Sequence, residues 1–189
     1  MALFEQIINT HSSFLGTLRH SFLDEDRKTA LQNFELKGFP TKKDEEYKYT
    51  NLKEITEKEY NFFPTEEHNI SKEQLDALHL GEENFDRIVF INGKLHKEFS
   101  KISIGNAEFL SFGYALNDSA HKEAFDQYFN TIANRDLAFT NLNSAYCNFG
   151  FFLRVPKNVV IEKPIHVFYL SQNQNENTFY NTRNLLIVE

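Results

Sequence analysis

The sequence predicts a segregated α+β chain: helices, a small antiparallel sheet, more helices, then a strand-rich C-terminal unit. Three observations carry this. Apolar residues recur at helical spacing near the N-terminus and again from Ser119 to Ala145. An Asn92-Gly93 pair sits between two strand-like runs, as a tight hairpin turn requires. From residue 146 onward β-branched and aromatic runs alternate with turn-formers, and the expected boundary falls near residue 145. The first two linkers there are three residues long, between strands of three to six. Such corners suit a sheet that turns repeatedly, as in a β-solenoid or a sandwich.

Over Leu3 to Phe22, the apolar positions Phe4, Ile7, Ile8, Phe14, Leu15 and Leu18 form one helical stripe, with Ser12-Ser13 as the expected interruption. A second helix is capped by Asp24 or Asp26, buries Ala30, Leu31 and Phe34, and stops at Gly38 ahead of Pro40. The segment from Gly38 to Leu52 alternates in charge and reads as a solvated, turn-rich loop pinned by Tyr47 and Tyr49. Its two tyrosines also suit a docking surface, because tyrosine offers a large contact area with a polar tip.

Residues 54–69 form a polar connector containing Phe62-Phe63-Pro64. Ser71 and Gln74 make a capping box for a short helix with Leu75, Leu78 and Leu80 on its stripe and Gly81 as its stop. The hairpin joins Arg87–Ile91 to Lys94–Phe99; Ile102 and Ile104 extend its sheet, Gly105-Asn106 turns the chain, and Glu108–Phe112 adds a strand. Then Ala124, Phe125, Tyr128, Phe129 and Ile132 mark one helix. Asn134 caps another through Leu137, Ala138, Leu142 and Ala145, which Gly150 closes. The C-terminal strands are Phe151–Val155, Val159–Ile161, Ile165–Leu170 and Leu185–Val188, with corners at Pro156-Lys157-Asn158 and Glu162-Lys163-Pro164. The last strand is apolar on both faces and has no polar cap. It is expected to continue into a longer protein or to bury its edge against a partner, another copy of the chain included.

Composition narrows the function. The 189 residues hold 20 phenylalanines and no tryptophan, so the core is built on Phe. A net charge of −7 argues against general affinity for nucleic acid or anionic membrane. The N-terminus lacks a basic n-region and no stretch reaches membrane-spanning length, which predicts a soluble cytoplasmic protein. Cys147 is alone, so no disulfide forms within the chain; at the end of an apolar helix face it reads as a buried, inert thiol. The histidines His11, His20, His68, His79, His96, His121 and His166 share no metal-ligand spacing with one another or with Cys147. His166 reads as the outward residue of a half-buried strand. There is no phosphate loop, nucleophile elbow or zinc-protease motif. A solenoid-type carbohydrate-active enzyme needs clustered acids, whereas the strand region offers Glu162, Glu176 and Glu189, all separate. An adaptor that binds a peptide on its open C-terminal strand is the remaining residue-level alternative. No catalytic, cofactor-binding or metal-ligating residue is assigned.

Two stretches carry a resemblance. Arg27-Lys28-Thr29-Ala30-Leu31 leads into Gly38-Phe39-Pro40-Thr41 and then Asp44-Glu45-Glu46-Tyr47-Lys48-Tyr49-Thr50. This is similar to the N-terminal signature of the SufD branch of the SufB/SufD family, with Tyr47 where that family usually has tryptophan. Leu142-Asn143, Ala145, Gly150, Val155-Pro156, Glu162 and Pro164-Ile165 resemble the entry to the β-helix that the two branches share. The resemblance implies an N-terminal helical domain over residues 1–145 and the first rungs of a right-handed parallel β-helix over residues 146–189. It implies a non-catalytic scaffold role in iron–sulfur cluster assembly, beside a SufB-like paralogue and a SufC-like ABC ATPase. It implies no cofactor held by these residues, the iron–sulfur cluster being the product of the full complex.

Overall fold

A computed structural model describes residues 2–19, 21–65, 67–78, 84–172 and 176–189; the expectations on His20, His79, Leu80 and Gly81 lie outside them. Helix α1 spans Leu3–Thr17 and buries Leu3, Ile7, His11 and Phe14. It runs unbroken through Ser12 and Ser13, which are exposed on its far face and disturb no packing. Helix α2 spans Asp24–Lys37 and buries Arg27, Ala30 and Phe34. Neither aspartate caps it: Leu23 holds the N-cap position, and the Asp24 carboxylate accepts from the Ser21 N–H and O–H instead. Three acids in its first turn still favour the positive end of the helix dipole. Gly38 ends it at φ 68, donating to Phe34 O at 2.7 Å.

Of the two loop tyrosines only Tyr47 is an anchor, 5.7 Å from the Phe139 ring; Tyr49 is 92% exposed. Short helix α3 (Lys53–Thr56) follows, and Phe62 then enters the core and stacks on Phe179 at 4.4 Å. Helix α4, Lys72–Asp76, has the expected Ser71–Gln74 capping box. Leu75 is buried and Leu78 exposed, so its stripe is narrower than the sequence suggests.

Strands β1 (Asp86–Ile91) and β2 (Lys94–Leu95) form the hairpin. Asn92 and Gly93 both have positive φ, 49° and 85°, as a two-residue primed turn demands. β2 stops short of Phe99, whose ring packs on His96 at 4.2 Å. Ile102 and Ile104 do not extend the sheet; they pack against the cluster around Ile88 and Phe90, while Lys101 makes a single bridge to Arg87. β3 (Glu108–Ser111) runs into α5 (Phe112–Ala115) and then α6 (Lys122–Tyr128). Phe129 turns extended after α6, which leaves Ile132 outside any helix and 97% exposed. Helix α7 is Ala138–Tyr146 with Leu137 at its N-cap. Asn134 does not cap it, because its side chain accepts from the Asp136 N–H and closes the preceding turn.

The helix gives way to β4, Cys147–Phe149, before Gly150, so Gly150 separates two strands and does not close the helix. β5 (Phe151–Val155), β6 (Ile165–Leu170), β7 (Asn181–Thr182) and β8 (Leu185–Val188) follow. Val159–Ile161 is not a strand: Val159 N–H donates to Pro156 O at 3.0 Å, and Val159 and Ile161 lean on the cluster around Ile88.

The strands form small sheets ordered β2-β1-β6, β3-β5-β8 and β4-β7. The hairpin sheet is therefore mixed and not purely antiparallel, because β6 pairs parallel with β1 along its whole length, from Asp86↔Ile165 to Ile91↔Leu170. The physical reason lies in β1, which is buried at five of its six positions. A near-continuous buried run, covered on both faces, suits a central strand with a parallel neighbour. β5 pairs antiparallel with β3 and parallel with β8, and β4 pairs parallel with β7. The helical core joins α1, α2 and α7 around Ile7, Phe14, Phe34 and Tyr146. A second cluster joins α5 and α6 to β5 and β8 through Phe112, Phe125 and Phe152.

Candidate interaction surfaces

The residues with chemistry are mostly spent on structure. Cys147 is fully buried, its thiol donates to Ser144 O at 3.3 Å, and burial pushes its pKa up. A thiol held protonated is a poor nucleophile and a poor ligand. His11 is buried on α1 with Nε2 3.0 Å from Ala145 O, and burial lowers its pKa. The neutral ring then carries its proton on Nε2, donated to that carbonyl. His121 is 3.6 Å from Glu108 and 3.8 Å from Asp118. His166 is half-buried on β6, with its ring stacked on Phe85 at 4.2 Å. His68 and His96 come together, ring to ring at 4.8 Å, although nothing in their spacing pairs them. Among the described residues there is no group of three or more His, Cys, Asp or Glu placed to hold a metal. The three glutamates of the strand region are dispersed. Glu162 is exposed, Glu176 accepts from Asn61, and Glu189 pairs with Arg154.

Sequence reasoning missed Arg27, which is 1% exposed. Its Nη1 donates to Ser21 Oγ at 2.7 Å and Asp24 Oδ1 at 2.9 Å, and its Nη2 to Cys147 O at 2.8 Å. The signal was present: Arg27 precedes Ala30 by three positions and Phe34 by seven, on the buried stripe of α2. Beside it the Tyr146 hydroxyl donates to Ile7 O at 2.5 Å, and burial raises its pKa far above the usual phenol range. These two contacts tie α1 and α2 to the point where helix becomes strand.

The accessible features are edges and clefts. β8 is the outer strand of its sheet, with Leu185 and Ile187 inside and Leu186 (58%) and Val188 (70%) exposed on the other face. The segment that follows α2 frames a cleft of about 620 Å³ between Phe39-Pro40-Thr41 and Leu52-Lys53. No described helix is long and apolar enough to cross a membrane.

Fold and surface together define an α+β module whose strands close on an open parallel edge. The chain belongs to the family described as the SufBD protein N-terminal region, which matches residues 2–167. It is 26% identical over 184 residues to an iron–sulfur cluster assembly SufBD family protein of Synechocystis sp., covering 97% of this chain and 40% of that protein. A Staphylococcus saprophyticus protein of the same description is 35% identical over 63 residues, 33% of this chain and 14% of the relative. The chain thus spans well under half the length of both relatives.

Proposed function

We propose that this chain is the N-terminal portion of a scaffold subunit in iron–sulfur cluster assembly, on the SufD side of its family. Membership of the SufBD N-terminal family over residues 2–167 is the observation that carries this reading. In it the chain works in the cytoplasm, performs no catalysis of its own, and joins a SufB-like paralogue and a SufC-like ABC ATPase. The iron–sulfur cluster is the product of that assembly and is not a resident cofactor of these residues.

Within this reading residues 1–145 are the N-terminal unit and residues 146–189 the first coil of a right-handed parallel β-helix. The register supports the coil. After β5 the chain turns, runs out through β6, and returns so that Phe152 faces Leu185 and Val155 faces Val188 in parallel. β4 and β7 repeat this one step earlier, Cys147 facing Asn181. A further coil would lie on β8 and take up its outward backbone groups.

The test is co-purification of the full-length protein with its SufB-like and SufC-like partners under anaerobic conditions. A stable complex on which cluster absorbance develops is the expected result. Failure to associate during anaerobic reconstitution would remove the scaffold reading.

A further inference from the structure

Among the described residues, two outer strands on different sheets border one groove. β2 is an outer strand of the first sheet and β3 of the second. His96 N–H donates to Val89 O, so the antiparallel alternation turns the backbone groups of Leu95 away from β1. Likewise Phe112 N–H donates to Gly150 O, which assigns Leu110 to the ladder with β5 and turns the backbone of Phe109 and the N–H of Ser111 outward, the Ser111 carbonyl capping α5. Leu95, Phe109 and Ser111 line the same cavity of about 460 Å³, together with Ile102 and Tyr114. The cavity is apolar in its walls and continues into a second of about 410 Å³ that shares Leu95, Lys97, Ser111 and Tyr114.

Charge selects the occupant. The chain carries a net −7, yet the described residues lining the two cavities include the cations Arg19 and Lys97 and no carboxylate. Open backbone donors and acceptors recognise an extended chain, alternate pockets recognise its apolar side chains, and cations on the rim recognise its acids. We propose that the groove between the Leu95 edge of β2 and the Phe109–Ser111 edge of β3 receives an extended acidic segment of a partner protein, added as a strand. This site is separate from the β8 edge and does not depend on the scaffold reading.

Ser111 offers a clean test. Its φ is −63°, which proline shares, and its side chain makes no cap bond to α5. Ser111→Pro therefore deletes one outward N–H and leaves the ladder to β5 intact. The probe is a fluorescein-labelled octapeptide of alternating glutamate and valine, titrated with the full-length protein by fluorescence anisotropy. Saturable binding that weakens with added salt is expected, with no binding of the lysine–valine counterpart. Ser111→Pro should weaken binding about fivefold, the worth of one backbone hydrogen bond, with an unchanged circular dichroism spectrum. Lys97→Glu, an exposed substitution that leaves the fold alone, should weaken it as well. Leu186→Lys, on the β8 edge, should leave binding unchanged. The proposal fails if no saturable binding occurs, if the lysine peptide binds equally, or if neither Ser111→Pro nor Lys97→Glu changes the affinity. It fails also if Ser111→Pro abolishes self-association of the chain without peptide, because the occupant is then a second copy.

Discussion

The guanidinium of Arg27 donates from Nη2 to the carbonyl of Cys147 at 2.8 Å, joining the second helix to the first residue of the C-terminal strands. The same side chain holds Asp24 and Ser21 through Nη1. One buried cation thus satisfies a carbonyl at the helix-to-strand junction, where the regular hydrogen-bond pattern of α7 has ended.

Removing it leaves that carbonyl without the guanidinium donor and takes the buried cation from Asp24, which keeps the Ser21 N–H and O–H. Arg27→Ala is expected to destabilise the protein by about 3 kcal/mol or more, read as a lower urea midpoint at unchanged slope. Arg27→Lys should fall between, since one ammonium does not span partners that the guanidinium fork reaches with two nitrogens.

Gly150 is expected to tolerate no side chain. Its φ is +112°, and a Cβ would lie 2.1 Å from Arg183 O, a backbone atom. Gly150→Ala should cost about 3 kcal/mol or more and lower the melting temperature accordingly. Gly16, near the end of α1, has nothing within 4 Å of its would-be Cβ. Gly16→Ala should therefore stabilise by about 0.5 kcal/mol in the same assay.

Burial lowers the pKa of His11 below its ordinary 6.5, with a smaller push from Arg27. The unfolded chain then binds a proton that the folded chain refuses. The contribution of His11 is complete above about pH 6.5 and falls as the pH drops from there toward the lowered folded value. His96, also lowered chiefly by burial, acts in the same direction. Unfolding free energy measured from pH 7.5 down to 5 should decline. His11→Gln, which keeps a donor for Ala145 O, should flatten part of that decline.

The β8 edge exposes Leu186 and Val188 beside a row of outward backbone groups. Self-association of the 189-residue chain, measured by light scattering over rising concentration, is expected to weaken with Leu186→Lys. A chain that stays monomeric at all concentrations would show that this edge does not pair.

Local chemistry made much of the fold readable. The Ser71–Gln74 capping box, the Asn92-Gly93 turn, the Gly38 stop and the strands at 151–155, 165–170 and 185–188 each follow from residues within a few positions of one another. Interruptions were harder to judge. Ser12-Ser13 look like a break only until their solvent-facing position is known, and Ile132 looks helical only until Phe129 leaves the helix. For the candidate surfaces, the sequence marked the loop after α2 and the last strand, because two tyrosines among alternating charges and an apolar run are visible in one dimension. It did not mark the slot between β2 and β3, which exists only once two edges distant in sequence face one space.

What the amino-acid order determined by itself was the kind of most elements and a single cysteine set for burial, since propensity, capping and alternation act over a few residues. What only the tertiary structure decided was partnership: β6 beside β1, Arg27 beneath Cys147, His68 against His96. Those pairings are set by which buried faces and unsatisfied backbone groups meet when the chain collapses, and burial of that kind carries no signature in the spacing along the chain.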